Sequence, residues 1–186
     1  MKIETELRYV GFDPHEIMAE AMRFAKPSII KFRRAVFDIP GKDGWLRLRT
    51  DGTTTTLTVK ISSSERATES FESEVVVQGF AEALEMLKAL GFEPRSLQTN
   101  YRVLFPIREC ELTIDLWPKI APIVEIEGET EARIQEVESL FRGLQAFRTD
   151  KTVSDLYEEA GINVKYARDL DFDTTPKMIQ ELTTPS

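Results

Sequence analysis

Pairs of like charges two residues apart recur along this chain: Glu4 and Glu6, Arg47 and Arg49, Glu72 and Glu74, Glu125 and Glu127. Side chains on an extended strand alternate between its faces, so the members of each pair share a face. Arg8 falls on the face of Glu4 and Glu6. Lys60 shares its face with threonines opposite Leu57, Val59 and Ile61, and Arg102 lies opposite Tyr101, Val103 and Phe105. Asp115 is the single carboxylate opposite Leu112, Ile114 and Leu116. Carboxylates suit hard divalent cations, whereas guanidinium and ammonium groups suit phosphate oxygens. An interior lined with both can hold Mg²⁺ or Mn²⁺ together with a polyphosphate and support phosphoryl or nucleotidyl transfer without histidine or cysteine. Taken singly, each residue reads equally well as a solvated strand-face charge or half of an ion pair. On the residues alone, a ligand site and an ionic surface both stay open.

The elements that would carry these groups follow from periodicity and turn chemistry. Ile3 to Tyr9 reads as a strand, and Asp13-Pro14-His15-Glu16 as a capped helix start, with the helix reaching about Ala25. Strands are expected over Ile29–Ile39, Trp45–Arg49 and Thr53–Ile61, the last two joined by the Asp51-Gly52 hairpin signal. Ser62–Ser70 reads as a linker, Phe71–Val77 as a strand, and Phe80–Leu90 as a helix stopped by Gly91. Strands over Phe92–Phe105, Glu111–Trp117 and Val124–Glu127 precede a helix from Glu129 or Thr130 to Leu144. Two more helices are expected, from Thr152 to Gly161 and over Lys177–Leu182, with residues 168–175 a tail or a lid. The fold class is therefore α+β. A closed or nearly closed antiparallel barrel, helices outside, would let all the charged faces meet and leave no sheet edge.

Composition narrows the functions. The 186 residues suit one folded domain, read here as a body over 1–160 with a C-terminal extension over 161–186. No apolar run approaches the length of a membrane span, and strand-like sequence from Ile3 leaves no room for a leader, so a cytoplasmic location is expected. A formal net charge of −8 argues against a nucleic-acid surface, which needs a positive footprint. Cys110 is the only cysteine and His15 the only histidine, which excludes an intrachain disulfide and a cysteine-rich zinc site. The chain is expected to be a monomer or a homodimer.

The ordered set of motifs resembles the CYTH superfamily, the triphosphate tunnel metalloenzymes, over about residues 1–160. Glu4-Thr5-Glu6-Leu7-Arg8 is similar to its Glu-x-Glu-x-Lys signature, with arginine in place of lysine. Trp45-Leu46-Arg47-Leu48-Arg49, Leu57-Thr58-Val59-Lys60 and Glu72-Ser73-Glu74 match successive strands. Arg102, Asp115, Val124-Glu125-Ile126-Glu127-Gly128 and Lys151 follow in the family's order. The resemblance implies an eight-stranded antiparallel β-barrel, the triphosphate tunnel, with helices packed outside. It implies Glu4, Glu6, Glu74, Asp115, Glu125 and Glu127 as ligands of Mg²⁺ or Mn²⁺, and Glu72 as an orienting group. Arg8, Arg47, Arg49, Lys60 and Arg102 would grip phosphates, and Lys151 would orient or activate the nucleophile, with Glu4 and Glu6 also in the catalytic set. Ser70 and Asn100 stand where the family often carries basic residues. The implied activity is metal-dependent hydrolysis of a small triphosphate: inorganic triphosphate, thiamine triphosphate or a nucleoside triphosphate. The alternatives are a class IV adenylate cyclase making cyclic AMP and pyrophosphate, and a noncatalytic polyphosphate- or nucleotide-binding domain.

Overall fold

Alternation of apolar and charged residues settles most of the strands. In the computed structural model, which describes residues 5–62, 70–164 and 167–184, the first elements are β1 (Thr5–Val10), α1 (Pro14–Ala21), β2 (Ser28–Asp38), β3 (Gly44–Thr50), β4 (Thr55–Ser62) and β5 (Ser70–Val77). Next come α2 (Phe80–Ala89), β6 (Pro94–Ile107), β7 (Cys110–Leu116), β8 (Ile123–Gly128) and α3 (Glu131–Glu138). A 3-10 turn at Leu144–Phe147 leads to β9 (Arg148–Thr149), α4 (Val153–Glu159), β10 (Asp169–Leu170) and α5 (Lys177–Thr183).

The expected eight-stranded closed barrel is not the observed architecture. Among the described residues the strands form one ten-stranded sheet in the order β5-β4-β3-β2-β6-β7-β8-β1-β9, with β10 added to β6. Closure requires the two end strands to pair with each other, and here β5 and β9 end the path instead. Alternation reports that a strand has two faces and is silent on whether the ends of its sheet meet. These edges are blunted in other ways: β9 has only two residues, and β5 carries Glu72 and Glu74. The two strands beyond the expected eight, β9 and β10, are too short to show a period.

The chain divides into two compact units. The first comprises Met1–Ile30, Asn100–Gly161 and Phe172–Ser186. In it β1, β8, β7 and the second half of β6 pair antiparallel, with Leu7 opposite Ile126 and Ile114 opposite Val124. Their apolar faces bury Tyr9, Val103, Leu112, Ile114, Val124 and Ile126 with Ile17 of α1, Ile134 of α3 and Ile179 of α5. The second unit comprises Lys31–Thr99 and Ile162–Asp171. There Ala35, Phe37 and Leu48 pack against Phe80, Leu84 and Leu87 of α2. Each large apolar side chain removed from water contributes about 1.5–3 kcal/mol. The apolar faces therefore hold the strands together.

Local chemistry sets the ends of the helices. Asp13 accepts from the His15 amide at the start of α1. The helix expected to reach Leu144 stops at Glu138, with Ser139 as its C-cap, and a left-handed Gly143 (φ 79°) then opens the 3-10 turn. Residues 169–170, in the segment read as tail or lid, pair in parallel with Leu97 and Gln98 of β6.

Candidate functional site

In the first unit, strand register gathers the charged residues. Arg8 lies opposite Glu125, Glu6 opposite Glu127, and Asp115 opposite Arg102. Arg102 donates from one edge of its guanidinium, Nε and Nη2, to the two oxygens of Asp115 at 2.7 and 2.5 Å, and from Nη2 at 3.2 Å to Glu125. Arg8 donates to Glu125 at 2.8 Å, to Glu6 at 3.0 Å and to the Lys151 carbonyl at 2.9 Å. The Asp115 side chain is only 5% exposed and that of Glu125 14%, so these ions are largely removed from water. Burial alone would push the Arg102 guanidinium down; Asp115, Glu125 and Glu127 together more than reverse it. Beside them, the hydroxyl of Thr113 is buried without a hydrogen-bond partner among the described residues. Glu127 also lines a depression of about 490 Å³ with Glu109, Glu111 and Glu129.

Glu125 pays most for its position. Burial pushes its carboxyl up, and the charge of Asp115 pushes it further, while Arg8 and Arg102 pull it back in part. A raised value means that the folded protein keeps a proton the unfolded chain has released. The contribution of this group is therefore full below the ordinary glutamate range and is lost as pH rises toward the raised value. Glu125→Gln is expected to flatten the decline in urea-derived stability as pH rises above the ordinary glutamate range. A profile as steep as that of the wild type would assign the decline to another group.

Lys151 is tied at both ends. Its carbonyl accepts from Arg8, and its ammonium sits 2.6 Å from Glu159 of α4. Between these contacts Thr152 and Asp155 form a reciprocal capping box at the start of α4. The Thr152 backbone and side chain hold the Asp155 carboxyl below its usual range. The ring of Tyr157 meets Trp117 edge to face, anchoring the helix.

The second unit carries the other charged face. Arg47 and Arg49 of β3 lie opposite Thr58 and Thr56 of β4, and Thr58 and Lys60 lie opposite Glu74 and Glu72 of β5. Thr58, fully buried, donates to Glu74 at 2.5 Å. Glu74 is 3.8 Å from Arg47, and Lys60 is 3.2 Å from Glu72. The Arg47 guanidinium lies over Trp45, while burial and the neighbouring Arg49 push it down. Its Nε and the Thr56 hydroxyl are buried without hydrogen bonds among the described residues. Arg49 stacks over Phe32 and lines a hollow of about 230 Å³ with Phe32, Asp51, Thr54 and Thr56. Sequence reasoning missed Arg34, which lies directly opposite Arg49 and also over Phe32. Like charges facing each other across a sheet are unfavourable, and this pairing shows only once β2 and β3 are in register.

Most of the expected site residues thus fall into two described groups. Glu6, Arg8, Arg102, Asp115, Glu125 and the backbone of Lys151 come together in one unit, with Glu127 on the same face. Arg47, Lys60, Glu72 and Glu74 interact in the other, where Arg49 shares their face. Glu4 lies outside the described residues, as do residues 63–69 of the expected linker. Among the described residues, no three of the histidine, cysteine, aspartate and glutamate side chains are placed to hold one metal ion. Both carboxylate oxygens of Asp115 accept from Arg102, and those of Glu125 from Arg8 and Arg102.

Each unit thus pairs an apolar core under helices with a group of two-signed strand charges. The chain belongs to the CYTH domain family, which matches residues 2–159. Membership supports an enzyme of the general class that hydrolyses or cyclises triphosphate compounds. No curated protein matches the chain. Among solved structures it resembles the PH1012 protein of Pyrococcus horikoshii, with 21% identity, 83% of this chain and 99% of that chain covered, and a TM-score of 0.63. A candidate adenylate cyclase of Vibrio parahaemolyticus is 16% identical over 84% of this chain and 98% of its own, with a TM-score of 0.63. HpAC1 of Hippeastrum, a candidate adenylyl cyclase described as having a dominant triphosphatase activity, is 14% identical over 87% and 97%, with a TM-score of 0.57. At these identities the likeness concerns the fold. Among the described residues, no helix is long and apolar enough to cross a membrane.

Proposed function

We propose that this protein hydrolyses a small triphosphate compound with the help of Mg²⁺ or Mn²⁺. The observation that carries the reading is the buried carboxylate pair Asp115 and Glu125, bracketed by the guanidinium groups of Arg102 and Arg8. Two buried carboxylates can be costly to a fold that does not use them. A divalent ion bound there would neutralise phosphate charge and orient water for attack on the terminal phosphorus. Within the first unit the assigned ligands are Asp115 and Glu125, with Glu4, Glu6 and Glu127.

The chain's own cations take the phosphate oxygens. Arg102 in the first unit and Arg47, Arg49 and Lys60 in the second are the assigned phosphate ligands, suited to the charge that develops as the bridging P–O bond breaks and the corresponding diphosphate leaves. The undonated Nε of Arg47 supports this role, because a buried donor without a partner is costly until a ligand supplies one. Glu72, paired with Lys60, orients that ammonium. Lys151 is assigned to the nucleophile and must first leave Glu159.

HpAC1 favours hydrolysis over cyclisation as the first activity to test, by the activity its description names. The assay offers inorganic, thiamine and nucleoside triphosphates with Mg²⁺ or Mn²⁺ and identifies the products. Orthophosphate is the expected product. Diphosphate with a cyclic nucleotide would replace hydrolysis by cyclisation. Tight calorimetric binding without turnover would leave a binding domain, a reading consistent with the buried neutral amide of Asn100 where the family often has a base.

A further inference from the structure

We infer that Arg8 is a positioning residue, fastening the Lys151 segment to β1, rather than a phosphate ligand. Each of its nitrogens faces an acceptor: Nε meets Glu125 at 2.8 Å, one terminal nitrogen meets the Lys151 carbonyl at 2.9 Å, and the other meets Glu6 at 3.0 Å. That last nitrogen also lies 2.7 Å from Glu125, and the side chain is 17% exposed. A planar fork engaged on every side has little left to offer a phosphate.

The contact on Lys151 falls at a sensitive point. Its carbonyl immediately precedes Thr152, the N-cap of α4, and α4 carries Glu159, which holds the Lys151 ammonium. Arg8 therefore sets where α4 begins, and α4 sets where the ammonium rests. Strand pairing puts Arg8 opposite Thr149, two residues before Lys151, so the guanidinium continues the β1–β9 ladder just past its last pair. Only a fork can do this. A lysine at position 8 presents one nitrogen and cannot reproduce three donors arrayed around a plane. The role of Lys151 rests on the triphosphate reading; the tether itself does not.

The test uses Arg8→Lys and Arg8→Gln in the full chain, with hydrogen exchange measured at the amides of residues 149–155. In the wild type the Lys151 amide donates to Thr149 and the Thr152 amide to Asp155. Both variants are expected to exchange about 10-fold faster there, while amides of β7 and β8 keep their protection. Unchanged exchange over 149–155, or an equal rise throughout β7 and β8, overturns the tether whether or not the protein turns over triphosphate. In the phosphate-release assay, Arg8→Lys is expected to lower kcat about 10-fold with KM within about two-fold. A raised KM with kcat preserved is the signature of a phosphate ligand and overturns the assignment. A wild type inactive on every triphosphate would defeat the proposed function, and the exchange measurement would still decide the tether.

Discussion

Replacing Arg102 by methionine is expected to cost about 3 kcal/mol of stability at neutral pH, the low end of what breaking a buried ion pair entails. Methionine keeps the length of the stem and removes the charge. Asp115 then loses both of its bonds to Arg102, and Glu125 loses one of its two guanidinium partners. Glu125 is already raised by burial and by the charge of Asp115, and losing Arg102 favours its protonated form in the folded state further. The sign follows: the variant's deficit is largest above the carboxylate range and shrinks as pH falls through it. Urea unfolding at about pH 7 and about pH 4 reads this directly. If Asp115 and Glu125 hold a divalent cation, Mg²⁺ or Mn²⁺ should raise the Tm of Arg102→Met more than that of the wild type, since the ion replaces the missing charge. Triphosphate turnover should fall by about 100-fold or more, as for removal of one preorganised group facing developing charge. A variant as stable as the wild type at neutral pH, and indifferent to cations, would reduce this group of charges to a solvated surface.

What the sequence made legible was the two-faced strand. Leu48 and Ile126 are fully buried, while Arg47, Arg49, Glu125 and Glu127 lie on the opposite faces, as alternation requires. The motif order then led to the family and to most residues of both charged groups. Closure into a barrel was not legible, because it depends on whether end strands meet, and no period encodes that. Arg34 was missed for a related reason: Lys31, Arg33 and Arg34 give a run with charge on both faces, and only pairing with β3 sets Arg34 against Arg49. The two ties on Lys151 also escaped. Arg8 is 143 residues away in sequence, and the pairing with Glu159 requires α4 to start at Thr152.

The residue furthest from any sequence signal is Glu138. On α3 it looks like one more solvated glutamate in a helix rich in them, yet it is 1% exposed. Tyr9, itself fully buried, donates to it at 2.9 Å from a strand 129 residues earlier. Arg148 of β9 donates from Nε at 2.5 Å and from a second nitrogen to the other carboxylate oxygen. Burial, then the Glu138 carboxylate, holds the Tyr9 phenol well above its usual range, so it remains a donor at any physiological pH. Glu138→Ala is therefore expected to destabilise by about 3 kcal/mol, most of it from stranding a buried phenol and opening space beneath α3, since Arg148 is 39% exposed and can turn to water. Tyr9→Phe alone should cost about 1 kcal/mol. The double variant should cost less than the two singles together, by about 1 kcal/mol, because deleting the hydroxyl removes the unsatisfied group that Glu138→Ala creates. The cycle is read from urea midpoints at constant m-value. Additivity within about 0.5 kcal/mol would mean that Tyr9 and Glu138 do not act together. The loss should also reach Lys151: Arg148 pairs with Tyr9 three residues before it, so Glu138→Ala should speed exchange across residues 148–152 before it disturbs β7.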